Sequence, residues 1–72
     1  VKSIGHTDNQ GEYVRNKYIS RKRAEFVRDY LVQNGIDEKQ IWVFYEGPDE
    51  PVADNETRGG RAKNRRVEVI LK

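Results

Sequence analysis

Residues 16–31, NKYISRKRAEFVRDYL, decide how this chain folds. Stepping about 100° per residue from Asn16 gathers Phe26, Ile19, Tyr30, Arg23, Asn16, Asn34, Val27, Ser20, Leu31 and Ala24 into one arc of roughly 160°. The opposite arc takes Lys17, Arg28, Arg21, Val32, Glu25, Tyr18, Asp29, Lys22 and Gln33, all polar apart from Val32 and Tyr18. The spacing predicts a helix from about Glu12 to Asn34, with Gly35 placed to end it in a left-handed conformation. Its inner face changes character along its length. Phe26, Val27, Tyr30 and Leu31 make a C-terminal half expected to be packed. Asn16, Ser20 and Arg23 put polar groups on the N-terminal half, where burial costs stability unless each finds a partner.

The flanking segments supply the other layer. Val1 to His6 reads as the tail of a strand, and Asp8–Gly11, DNQG, as a turn whose residues tolerate the needed dihedrals. After the helix, IDEKQ is a polar connection. Ile41 to Tyr45, IWVFY, is a short run of β-branched and aromatic residues expected to form a buried strand. GPDEPVAD, residues 47–54, carries both prolines and is a loop. Asn55 is placed to cap a short helix with Glu56 in its first turn. Gly59 and Gly60 would each weaken that helix by about 1 kcal/mol relative to Ala. RRVEVILK then alternates, with Val67, Val69 and Leu71 on one face, as a strand to the C-terminus. The order strand, helix, strand, short helix, strand predicts an α+β domain, a thin two-layer α/β sandwich. Its first strand, long helix and second strand form a parallel unit with a right-handed crossover.

Composition narrows the function classes. Seventy-two residues make one small domain. The chain opens on VKSIGHTD without a start methionine, as expected of a fragment of a longer polypeptide. Charged residues make up 36% and cysteine is absent, so neither a disulfide framework nor a thiolate metal site is available. No apolar run approaches the roughly 18 residues of a membrane-spanning helix. A net charge of +2 is a weak bias toward anionic partners.

The crossover unit brings the N-terminal half of the helix near the carboxyl end of the first strand, where open α/β sheets often bind ligands. GHTD marks that end, so Asp8 becomes the natural partner for Arg23. Two readings follow. Asp8 and Arg23 form a structural ion pair, since a buried guanidinium needs a carboxylate. Alternatively they share a zwitterionic ligand, with Asp8 accepting from an ammonium and Arg23 holding a carboxylate.

At these residues the chain resembles a known family. GHTD, Gly11, and then Asn16-x-x-Ile19-Ser20-x-x-Arg23-Ala24-x-x-Val27-x-x-x-Leu31 are similar to the OmpA-like peptidoglycan-binding domain, with Ile19 where Leu is usual. Asn55-x-Thr57-x-x-Gly60-Arg61-x-x-Asn64-Arg65-Arg66-Val67-Glu68 matches it independently, and Tyr45 and Pro51 fit its loop. Such domains occur in outer-membrane proteins, peptidoglycan-associated lipoproteins and flagellar stator proteins. The resemblance implies a non-catalytic module, without cofactor, on the periplasmic face of the outer membrane. It would hold the diaminopimelate of the peptidoglycan stem peptide. By resemblance, Asp8 takes the ammonium and Arg23 a carboxylate, Asn16 and Ile19 line the pocket, and Arg66 adds positive charge. The rival expectation is an assembly module of the same fold that has lost the ligand and keeps Asp8–Arg23 as a structural pair. Two departures stand out. Family domains usually carry a strand and helix upstream of GHTD, whose connecting loop contributes to the pocket. YEGPDEP also replaces the more usual YGxxxP.

Other constellations weigh less. His6 is the only histidine, which excludes a multi-histidine metal site and makes a structural role the simpler one. Glu46, Asp49, Glu50, Asp54 and Glu56 fit no EF-hand spacing. The five basic residues between Arg58 and Arg66 could contact phosphates. The family match accounts for Arg61, Arg65 and Arg66 without nucleic acid, and Trp42 and Phe44 are expected on a buried strand.

Overall fold

A computed structural model describes residues 1–71. The elements are β1 (Lys2–His6), α1 (Tyr13–Gln33), a 3-10 turn (Glu38–Gln40), β2 (Trp42–Gly47), α2 (Arg58–Asn64) and β3 (Val67–Ile70). The sheet runs β2-β1-β3. β1 pairs parallel with β2 and antiparallel with β3. The expected sandwich and its parallel crossover unit are therefore present. No helix among the described residues is long and apolar enough to cross a membrane. Gly35, at φ 99°, ends α1 as its position predicts. Lys72, the end of the expected last strand, lies outside the described residues, and Leu71 follows β3 rather than belonging to it.

α1 lies very close to the sheet because the seam between them is built from small residues. A methyl group on Gly5 would sit 1.9 Å from the Ser20 carbonyl oxygen, so only glycine fits there. Ser3 Oγ donates to the Ala24 carbonyl at 2.9 Å. Ser20 Oγ donates to the Lys17 carbonyl and accepts from the Gly47 N–H at 3.0 Å. The register shift between Gly5 and His6 sets His6 opposite Gly47, at the end of β2 that Ser20 holds. The polar residues of the helix face are thus satisfied struts.

This overturns the expected division of α1. Its buried residues are Asn16, Ser20 and Ala24, whereas Phe26 is 76% and Tyr30 61% exposed. Close approach selects the small side chains for the centre of the contact. Phe26 falls on a flank beyond β1, where it borders an open groove with Tyr18, Ile19, Lys22, Arg23, Val27 and Val67. The packed half and the open half are therefore two sides of one helix, rather than its two ends.

β2 also departs from expectation. Trp42 is 58% and Phe44 40% exposed. α1 covers one face of the sheet, and alternation places Trp42 and Phe44 on the other, where Lys2 lies over the Phe44 ring. Their exposure removes burial as a reason against base stacking. Arg61, Arg65 and Arg66 each make a hydrogen bond within the domain.

α2 starts later than expected. Thr57 is its cap, accepting the Gly60 N–H at 2.9 Å, so Glu56 lies before the first turn. Asn55 instead accepts from Asn64 Nδ2 at 2.7 Å. Gly60 is there for space: a Cβ would lie 1.8 Å from the Asp54 carbonyl oxygen. Fully buried Asn64 ties down the preceding loop, accepting from the Val52 and Ala53 N–H groups and donating to the Ala53 carbonyl.

Candidate functional site

The carboxyl end of β1 runs straight into residues His6, Thr7 and Asp8, all buried. The backbone there is fixed from both sides: His6 N–H donates to the Arg66 carbonyl and Thr7 N–H to the Gly47 carbonyl. Asp8 is 8% exposed. Its Oδ1 accepts the Gln10 N–H at 3.0 Å, an Asx turn that closes the loop. Its Oδ2 accepts from Arg65 Nη1 at 2.7 Å. Burial works to raise the Asp8 pKa. The Gln10 N–H, the Arg65 hydrogen bond and charge, and the Arg61 charge outweigh it and hold the carboxyl below its ordinary 3.8. Asp8 is thus a fixed, ionised carboxylate at neutral pH.

Asn16 holds the same loop from the helix side, donating from Nδ2 to the Gln10 carbonyl at 2.8 Å. Arg23, nearly two turns further along α1, donates from Nη1 to the His6 carbonyl at 3.0 Å. The expected Asp8–Arg23 ion pair is not made. Arg65 takes the carboxylate, and the reach of Arg23 ends on the backbone two residues before Asp8. Among the described residues Arg23 meets no carboxylate. An opposite pair of charges is therefore fixed to one strand end without being spent on each other.

Ile19 precedes Arg23 by one turn and lines, with it, the apolar groove of about 430 Å³. Asp8 and Asn16 thus meet at Gln10 and Arg23 reaches the His6 carbonyl, while Ile19 adjoins Arg23 in a groove that Asp8 does not line. Arg66 lies apart. It projects on the bare side of the sheet, where it donates to the Glu50 carbonyl and to Glu68 Oε1. It lines a separate cavity of about 340 Å³ with His6, Glu46, Glu50 and Glu68. Sequence reasoning missed Arg65 as the partner of Asp8. The signal was available in strand alternation: two residues before inward Val67 lies Arg65, while Arg66 shares the face of Glu68.

His6 is buried in that bare-face region. Its Nε2 comes within 2.6 Å of Glu68 Oε1. The contact does not have hydrogen-bond geometry. No group of His, Asp and Glu able to hold a metal ion occurs among the described residues.

The edge of the site is built by the loop after β2. Tyr13 donates its hydroxyl to Asp49 Oδ2 at 2.7 Å, and Lys17 approaches the same carboxylate. The hydrogen bond to Asp49 raises the Tyr13 pKa, so the phenol stays a donor. These contacts fasten the loop to the first turns of α1.

Comparison with known proteins agrees with this architecture. The chain is 43% identical over 69 residues to outer membrane protein A of Bordetella avium, covering 96% of this chain and 36% of that protein. It is 45% identical over 67 residues to the peptidoglycan-binding protein ArfA of Mycobacterium tuberculosis, covering 93% and 21%. The peptidoglycan-associated lipoprotein of Burkholderia pseudomallei superposes with a TM-score of 0.89 at 33% identity, over 93% of this chain and 57% of that one. The C-terminal domain of Helicobacter pylori MotB gives 0.86 at 30% identity, over 93% and 52%. The chain therefore spans about half of those solved chains, and roughly a third or less of those two relatives. The family profile described as the OmpA family matches residues 1–65, and with the shared fold it settles membership: this chain belongs to the OmpA family.

Proposed function

We propose that the domain binds peptidoglycan without covalent chemistry and anchors an envelope protein to the cell wall, at the periplasmic face of the outer membrane. The ligand group is an amino acid centre of the stem peptide that carries an ammonium and a carboxylate together, as diaminopimelate does. Asp8 accepts from the ammonium and Arg23 holds the carboxylate. Asn16 keeps the Asp8 loop in place, and Ile19 lies beside the aliphatic stem. One observation carries this reading. Asp8 and Arg23 are fixed at the same strand end with opposite charge, and the guanidinium of Arg23 meets no carboxylate of the chain among the described residues. The printed name of ArfA and the peptidoglycan-associated lipoprotein among the solved neighbours support the same class of partner.

Titrating the domain with a diaminopimelate-containing muropeptide, while following amide chemical shifts, tests the reading. The expected result is saturable shifts at Asp8, Gln10 and Arg23. Absence of any shift there would contradict it. The Asp8–Arg65 pair favours a second reading, in which the fold serves assembly and Asp8 is purely structural. That reading predicts no muropeptide shifts, with the effect of Asp8→Asn confined to stability.

A further inference from the structure

The cavity of about 340 Å³ lies on the face of the sheet that α1 leaves bare. Ser3 and Gly5 meet α1, so alternation turns Ile4 and His6 of β1 to the bare face. Glu46 of β2 and Glu68 of β3 line the cavity beside them, and Glu50 and Arg66 close it. Three carboxylates therefore share one guanidinium, and the lining stays negative even with a proton on His6. Arg66 spends its bonds on the Asn64 and Glu50 carbonyls and on Glu68. Glu46 and Glu50 make no ion pair among the described residues.

His6 makes this more than a cluster of surface acids. Its side chain is 2% exposed and lines the cavity, yet neither ring nitrogen has a hydrogen-bond partner. Buried polar atoms are nearly always paired. A neutral imidazole keeps one acceptor nitrogen, and an orphaned acceptor among carboxylates suits a cationic donor. No group of these side chains is able to hold a metal ion among the described residues, so the matching cation is organic.

We propose that this cavity takes a lysine side chain presented by an extended segment of a partner protein. The ammonium brings its donors to the Glu46 and Glu50 carboxylates. Rotation of the exposed Glu68 side chain opens His6 to it as well. Ile4, Pro51 and Val52 also line the cavity and flank the methylene stem. A protein segment fits better than a free amine because the apolar surface continues beyond the cavity. Phe44 and Trp42 precede Glu46 on β2 at alternate positions, so both share its face, and both are exposed. Lys2 already lies over the Phe44 ring at 5.9 Å, so this face accommodates an aliphatic stem that ends in an ammonium. The proposal goes beyond the cell-wall reading and uses neither Asp8 nor Arg23.

The test is a chemical-shift titration of the native domain with the peptide Ac-Leu-Ala-Lys-Ala-Leu-NH₂, with its norleucine analogue, and with free cadaverine. The lysine peptide should give saturable shifts at His6, Glu46 and Glu68 and at the Trp42 indole. The norleucine analogue keeps the length and lacks the charge, and cadaverine lacks the backbone. Each should bind roughly tenfold more weakly or worse, the scale of a charge-assisted hydrogen bond. Glu46→Gln combined with Glu50→Gln should weaken the lysine peptide by a similar factor. If that double variant does not fold, Val52→Lys replaces it: from the exposed rim it puts an ammonium of the chain itself into the cavity and should block the peptide. No shift with the lysine peptide, equal binding of the norleucine analogue, or binding unchanged in these variants overturns the proposal. So does cadaverine matching the peptide, which would make this a small-amine site. Shifts confined to Asp8 and Arg23 overturn it too, since they place the peptide at the strand end instead. All of these outcomes leave the muropeptide reading to its own titration.

Discussion

Asp8 shows how a buried charge is kept. It sits at the end of a strand, closes its own turn through the Gln10 N–H, and meets Arg65 across 57 positions of sequence. The folded pKa lies below the ordinary 3.8, so the native state favours the carboxylate. The stability this contributes is fully present above pH 3.8 and is lost as pH falls through the lower folded value. Asp8→Asn is expected to cost about 1–3 kcal/mol near pH 7, with the difference from the native domain shrinking as pH drops below 3.8. Thermal melts from pH 2 to pH 7 check this, and a constant difference across that range would contradict it. The sequence pointed to Asp8 and Arg23 through strand end and helix phase. It did not point to their true partners. A helical wheel gives the direction of a side chain but not its length of reach, and Arg23 reaches a backbone carbonyl that no pattern of residue types reveals.

At the scale of elements, the contact between α1 and the sheet depends on Gly5, Ser3, Ser20 and Ala24. Because a Cβ at Gly5 would lie 1.9 Å from the Ser20 carbonyl oxygen, Gly5→Ala must push the helix away. The expected loss is about 1–3 kcal/mol, as for other overpacked contacts, measurable by urea denaturation. Phe26→Ser is the converse case. A hydrophobic-face reading would predict a large loss, but Phe26 is mostly exposed, so the change should stay within about 0.5 kcal/mol. The same urea curves report it. Element types and order were legible in periodicity, in Gly35 and in the proline-bearing loop. The close seam was not, because apolar content governs a wheel whereas small size governs this contact. The IWVFY run misled for a related reason: a run of apolar residues does not say whether one face of its sheet or both are covered.

For the molecule as a whole, the three-stranded sheet and crossing helix meet at the carboxyl end of β1. β1 is the central strand. Its His6 and Thr7 N–H groups are bonded to the neighbouring chain segments on either side, so the residues that follow cannot wander. Polar struts do much of this positioning, since Ala24 and Ile41 are the buried apolar side chains among the described residues. The family could be recognised from its two motifs, and the fold agrees with it. The division of labour among the arginines could not, because NRR reads as one basic cluster until the strand splits Arg65 from Arg66. Asp8 and Arg23 are proposed to grip a zwitterion of the cell wall together. Co-sedimentation with purified diaminopimelate-type peptidoglycan sacculi, with free meso-diaminopimelate as competitor, tests it most directly. The native domain should pellet with the sacculi and be released by the competitor. Arg23→Ala should remain folded, losing about 0.5–1.5 kcal/mol for one hydrogen bond, yet stay in the supernatant. Pelleting of Arg23→Ala to the native extent, or no effect of the competitor, would contradict the account.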